Sequence, residues 1–199
     1  MEQIRSFIAI ELPDELKLKL GQLKSRLKSG EQSWVKWVDP DSIHLTLKFL
    51  GNIATDRIGE ITRAMAQAAQ TVPPFRLEVK DLGAFPNLKR VQVVWVGISG
   101  EMDKLGQLQQ GIESNLARLG FTPESRPFTP HLTLARLRDR APLEERQRFG
   151  QLIGETTFEA GTIKVDAISL MRSQLTKEGA IYHRISSASL KKPLSTATA

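Results

Sequence analysis

Two copies of one tetrapeptide, His44-Leu45-Thr46-Leu47 and His131-Leu132-Thr133-Leu134, constrain this chain more than any other feature. Each lies in an apolar, β-favouring run, and in a strand residues i and i+2 share a face. The spacing sets His44 beside Thr46 and His131 beside Thr133. It puts Leu45, Leu47 and Phe49 of the first copy, and Leu132 and Leu134 of the second, on the opposite, buried face. A lone His-x-Thr in a strand is ordinarily a satisfied, half-buried pair. With three histidines in the whole chain, two in identical settings reverse that expectation and mark a site.

The repetition extends beyond the tetrapeptides. Residues 4–11 and 91–98 both read as apolar strands. The helices expected over 14–28 and 101–119 share a pentapeptide, Lys19-Leu20-Gly21-Gln22-Leu23 and Lys104-Leu105-Gly106-Gln107-Leu108. A strand, a helix and a histidine strand thus occur twice in the same order. Two copies are too few for a solenoid, so the reading is a pseudo-symmetric pair of lobes. Between and after the repeats, Gly30 is expected to close the first helix, 34–38 to form a short strand, and 39–42 a turn. Gly51-Asn52 should stop the first histidine strand. A helix is expected over 55–70, a strand over 75–82, a short helix over 143–152, and strands within 158–171 and 180–186. From Ser187 onward Ser, Lys, Thr and Ala dominate. Residues 1–186 are therefore expected as one bilobal domain, and 187–199 as a disordered tail.

Composition narrows the partners. The 199 residues are 40% hydrophobic, enough for a real core, and carry a net charge of +6, which with a pI near 9.7 suggests a polyanion such as nucleic acid. No apolar run approaches the roughly 20 residues that cross a bilayer, and the first residues lack the order of a signal peptide. No membrane partner is expected. The absence of cysteine rules out disulfides, thiolate metal sites and a cysteine nucleophile, and suits a cytoplasmic location. Walker and dinucleotide loops, a G-x-S-x-G elbow and an H-E-x-x-H pair are all missing. A metal held by the two histidines would need Asp, Glu or His183 as further ligands at no recognisable spacing. No cofactor or metal is expected, and His183 reads as structural or surface.

Two histidines fit displacement at phosphorus. The attacking oxygen must lose a proton and the leaving oxygen gain one, on opposite sides of the phosphorus atom. An imidazole serves either role near neutral pH, because its ordinary pKa is about 6.5. The hydroxyls of Thr46 and Thr133 then donate to non-bridging phosphate oxygens. Which histidine is the acid is left open by spacing alone.

The chain resembles the 2H phosphoesterases, and within them the LigT-like RNA 2′,3′-cyclic phosphodiesterases, historically called 2′-5′ RNA ligases. The likeness rests on Phe7-Ile8-Ala9-Ile10-Glu11-Leu12-Pro13, His44 to Gly51, Val94-Trp95-Val96-Gly97, Pro130 to Arg136, and the closing segment 170–182. It implies a bilobal α+β fold, each lobe an antiparallel sheet flanked by helices, with the motifs facing each other across a central groove. It also implies metal-free hydrolysis of an RNA 2′,3′-cyclic phosphate to a 2′-phosphomonoester. His44 would be the proton donor, His131 the proton acceptor, and Thr46, Thr133 and Arg136 the phosphate-binding residues. The first copy has Phe49 where the second has Arg136, so the two sides of the groove should differ chemically. The partner implied is RNA with a 2′,3′-cyclic phosphate end, tRNA fragments among the candidates, and a monomer is expected. Ligation of such ends to 5′-hydroxyls is the alternative activity. A non-catalytic RNA-end binding module is the alternative class, and two intact motifs argue against it.

Overall fold

The structure, a computed structural model, describes residues 2–28, 33–176 and 179–192. Nine strands and four helices follow in the order β1 (Gln3–Glu11), α1 (Asp14–Leu27), β2 (Val35–Trp37), β3 (His44–Ala54), α2 (Ile58–Ala69), β4 (Phe75–Phe85), β5 (Val93–Gly100), α3 (Met102–Ala117), β6 (His131–Leu137), α4 (Leu143–Glu155), β7 (Glu159–Val165), β8 (Ala167–Leu175) and β9 (Ala180–Ser189). Short 3-10 turns at Pro40–Ser42 and Thr55–Arg57 lead into β3 and α2.

Two antiparallel sheets result, one ordered β3-β1-β8-β9 and the other β2-β6-β5-β4-β7. Setting β2 aside, the sheets match strand for strand, with the histidine strands β3 and β6 in the same place and β1 matching β5. The expected α+β bilobal architecture is therefore present, but the halves of the chain are interlaced. The first lobe is completed by the C-terminal strands β8 and β9, and the second by β4 from the first half and β7. Helices cross over as well. α1 follows β1 of the first sheet yet lies against β7 of the second, while α3 follows β5 of the second yet lies against β3 of the first. Lys19 of α1 donates to the Ala160 carbonyl at 2.9 Å across this junction. The shared pentapeptides explain the attachment, since Leu20, Leu23, Leu105 and Leu108 are all buried in the continuous core; leucines three apart occupy one helix face.

Three expectations need correction. The first histidine strand does not stop at Gly51 but continues to Ala54, with Gly51 at φ 69° taking up a register shift opposite Ser6 and Phe7; glycine meets no Cβ penalty in that left-handed conformation. Phe49 does not share the buried face of Leu45 and Leu47 but is 66% exposed. The C-terminal strand runs through Ser187 to Ser189, with Ala188 and Leu190 buried, so the start of the expected tail is part of the first sheet. Gly30, expected to close the first helix, and residues 193–199 lie outside the described residues.

Candidate active site

β3 and β6 lie against each other where the two sheets meet, and a cleft of about 560 Å³ opens there, lined by His44, Thr46, Phe49, His131, Thr133 and Arg136, among other residues. The five residues singled out from sequence are thus brought together, whereas His183 is exposed on β9 and is not among the lining residues.

Backbone register explains why these side chains converge. In β3, His44, Thr46 and Lys48 pair with Glu11, Ala9 and Ile8 of β1, leaving Leu47 without a partner. In β6, His131, Thr133 and Ala135 pair with Gly97, Trp95 and Val94 of β5, leaving Leu134 without a partner. The same β-bulge therefore falls three residues after each histidine. A bulge inserts one residue and reverses the alternation beyond it. His and Thr face the cleft before it; the fifth residue turns inward and the sixth faces the cleft again. Burial alternates identically along the seven residues from each histidine. This accounts for Phe49 and Arg136 in the cleft wall, three residues past a threonine where a regular strand would put them on the far face. It also accounts for Lys48, 6% exposed, whose ammonium donates to Glu113 of α3 at 2.7 Å and to the Thr122 carbonyl at 3.1 Å.

Both imidazoles are held alike. His44 Nδ1 lies 2.9 Å from the Ser42 carbonyl and His131 Nδ1 2.7 Å from the Thr129 carbonyl. A carbonyl only accepts, so each Nδ1 carries the proton and each Nε2 is left for other chemistry. The Phe7 ring stacks on His44 at 4.5 Å and Tyr182 meets its edge at 4.9 Å, while Phe85 packs edge-on against His131 at 4.9 Å.

Electrostatics differ between the two. Burial pushes both histidines below the ordinary imidazole value. At His44 the hydrogen bond to Ser42 and the nearby Glu11 carboxylate push back upward. At His131 the Thr129 hydrogen bond pushes upward, but the Arg136 guanidinium pushes further down. The difference follows from the repeat itself. Glu11 stands opposite His44, whereas the matching partner of His131 is Gly97. A Cβ at Gly97 would come within 2.8 Å of the Lys80 carbonyl, so that position excludes a side chain. The Glu11 carboxylate accepts from Arg184 Nε and Nη2 at 2.7 and 2.9 Å and from the Ser169 hydroxyl. Arg184 chiefly, with Ser169, holds it below the usual carboxylate range.

Glu11, Ser169, Arg184, Phe7, Tyr182 and Phe85 were not found from sequence. Glu11 and Phe7 share a face of β1 by simple alternation, but Phe7 to Ile10 is apolar on both faces, so neither declares itself. Ser169, Arg184 and Tyr182 reach the site only through strand pairings that span much of the chain, and Phe85 reaches it across β5. Among the described residues no group of three or more His, Cys, Asp or Glu is placed to hold a metal ion, and no helix is long and apolar enough to cross a membrane.

Residues 12–177 match the family model described as the 2′-5′ RNA ligase superfamily. The RNA 2′,3′-cyclic phosphodiesterase of Methanothermobacter thermautotrophicus is 33% identical over 181 residues, covering 90% of this chain and 95% of that one. The protein of the same name from Aquifex aeolicus is 37% identical over 150 residues, covering 74% and 77%. The crystal structure of E. coli LigT complexed with 3′-AMP superposes with a TM-score of 0.76 at 26% identity, covering 95% of this chain and 99% of that one.

Proposed function

The chain belongs to the 2′-5′ RNA ligase superfamily, and from that premise we propose that it hydrolyses RNA 2′,3′-cyclic phosphodiester ends to 2′-phosphomonoesters, with His44 and His131 as a metal-free acid–base pair. The observation that carries this reading is the doubled imidazole arrangement: two Nδ1 atoms tied to backbone carbonyls and two histidines in one cleft, each beside a threonine hydroxyl. Water attacks phosphorus as His131 Nε2 accepts one of its protons. The bond from phosphorus to the 3′ oxygen breaks, and His44 Nε2 delivers a proton to that oxygen. The 2′ oxygen keeps the phosphate. Thr46, Thr133 and Arg136 stabilise the charge that builds on the non-bridging oxygens.

The asymmetry of the lobes supports these roles. A carboxylate beside His44 favours the imidazolium that an acid needs, and a guanidinium beside His131 favours the neutral imidazole that a base needs. Since kcat/KM reports the free enzyme, and burial lowers both groups, the bell should centre on the acid side of pH 6.5. Its acid limb belongs to His131 and its basic limb to His44. Glu11→Gln removes the charge that raises His44, so the basic limb should move to lower pH while the acid limb stays. A basic limb unmoved, or moved upward, in the pH profile of that variant would take Glu11 out of this role.

The decisive assay incubates the purified protein with an oligoribonucleotide ending in a 2′,3′-cyclic phosphate, with and without exhaustive chelation. A 2′-phosphate product at equal rates under both conditions is expected. Binding without product would leave an RNA-end binding module, and activity lost to chelation and restored by zinc or manganese would move the site to the metal class. A 5′-hydroxyl taking the place of water at the same phosphorus gives the 2′-5′ joined product for which the superfamily is named, so a 5′-hydroxyl oligonucleotide belongs in the same assay. RNA fragments, those of tRNA included, and a cytoplasmic setting suit a basic chain without cysteine.

A further inference from the structure

Arg136 is one member of a row. Lys36 of β2 stands directly opposite it in the antiparallel register, and directly paired residues project from one face of a sheet. The neighbours of Lys36 fix which face. Val35 is buried, and Trp37 packs edge-on against Phe149 of α4, on the helix-covered side. Lys36 therefore emerges with Arg136 on the side of the cleft. Two residues further, the Arg138 N–H continues the ladder to the Trp34 carbonyl at 2.8 Å, and the buried Leu137 between them returns Arg138 to that same face.

All three side chains are exposed, and none forms an ion pair with a carboxylate among the described residues. Like charges directly opposite on a sheet repel, so the Lys36 and Arg136 pair costs stability unless an anion lies between or above them. The row is confined to one lobe. In the other, Phe49 stands at the position of Arg136, and among the described residues β3 occupies the edge of its sheet with no strand matching β2. Two residues along a strand advance about 6.7 Å, the scale of one nucleotide in an unstacked chain.

We propose that Lys36 and Arg138 extend the cleft into a track for the phosphates on the 5′ side of the reacting RNA end, so that the protein takes oligoribonucleotides in preference to single nucleoside 2′,3′-cyclic phosphates. This rests on the reading that the cyclic phosphate is hydrolysed between the two histidines. A mononucleotide ends at Arg136 and does not reach Lys36 or Arg138; an oligonucleotide does.

The test measures kcat/KM for a nucleoside 2′,3′-cyclic phosphate and for a short oligoribonucleotide with the same 3′-terminal nucleotide, over a series of salt concentrations. Wild type should prefer the oligonucleotide at low salt, and its log kcat/KM on that substrate should fall linearly with log salt. Lys36→Ala and Arg138→Ala should each lower kcat/KM several-fold on the oligonucleotide, leave the mononucleotide unchanged, and reduce the salt slope by roughly 0.7, the value for one single-strand phosphate contact. Lys36→Arg should keep the wild-type slope. Equal kcat/KM on both substrates in wild type overturns the track while the hydrolytic reading stands, and so do alanine variants that lower both substrates alike or neither. No turnover of either substrate by wild type overturns the hydrolytic reading and the track with it.

Discussion

Replacing either cleft histidine with alanine is expected to abolish most turnover while the fold survives. Under the proposed mechanism His44→Ala leaves the 3′ oxygen without a proton donor and His131→Ala leaves water without a base; each such transfer is typically worth roughly 10²- to 10⁴-fold. The double variant should fall little below the worse single one, because residues acting as a unit are not additive. Both side chains are partly exposed to the cleft, so thermal midpoints should change little. His44→Ala should show the larger shift, since the Phe7 and Tyr182 rings lose the imidazole they pack against. Thr46→Val and Thr133→Val should cost less turnover than either histidine, because each removes one donor to phosphate and keeps the side-chain shape. The measurement is kcat for each variant beside its thermal midpoint. His44→Ala at near-wild-type turnover would end the two-histidine mechanism.

The largest expected effect on stability lies behind the cleft, at the ion pair of Lys48 and Glu113. The bulge at Leu47 turns the Lys48 ammonium into the protein, where its side chain is 4% exposed and that of Glu113 17%. Removing one partner of such a pair strands the other and typically costs about 3 to 5 kcal/mol. Glu113 retains some water, so Glu113→Ala should fall at the lower end, about 3 kcal/mol, which for a chain of this size lowers the thermal midpoint by about 6 to 12 °C. Replacing both partners should restore most of that loss, since apolar substitutes for a buried ion pair are often neutral or better. The second lobe already carries such a solution: the position matching Lys48 is Ala135, fully buried. Lys48→Met combined with Glu113→Leu, measured by thermal denaturation beside each single change, checks this. A double variant no more stable than Glu113→Ala would mean that the pair does more than satisfy itself.

The histidine strands, the leucine helices and the twofold repeat are visible in the sequence because each depends on short-range spacing: period 2 for the first, three and four residues for the second. The cleft face of His44, Thr46, His131 and Thr133 follows from the same periodicity. What the sequence hides begins at the bulge. Leu47 and Leu134 look like ordinary buried strand residues, and nothing local says that one of them sits outside the register. The orientation of every residue beyond it, Phe49, Lys48 and Arg136 included, depends on the partner strand. Glu11 is hidden for a related reason. Its place opposite His44 is a pairing between β1 and β3, and its anchors Ser169 and Arg184 arrive from the far end of the chain. Composition conceals the end of β9: Ser187 to Ser189 look like a tail, but Ser169, Ile168 and Ala167 of β8 offer a ladder, and Leu190 supplies an apolar anchor.

The interlacing of the two halves bears on how such a molecule comes to be folded at all. Although the sequence repeats, neither repeat is a self-sufficient unit. The first repeat lacks β8 and β9, and it is followed by β4, a strand whose hydrogen-bonded neighbours among the described residues are β5, which opens the second repeat, and β7, which follows it. Long-range pairings, β1 with β8 and β2 with β6 among them, must form before either sheet is complete, which favours slow, concerted folding over independent formation of two pieces. Once formed, each lobe holds strands and helices from both halves, so there is no single crossing of the chain about which the lobes could swing apart. The separation between the two imidazoles is then a property of the whole polypeptide. Under the proposed mechanism, acid and base are then in place before substrate arrives, and the entropy of bringing them together is lost during folding rather than at each turnover.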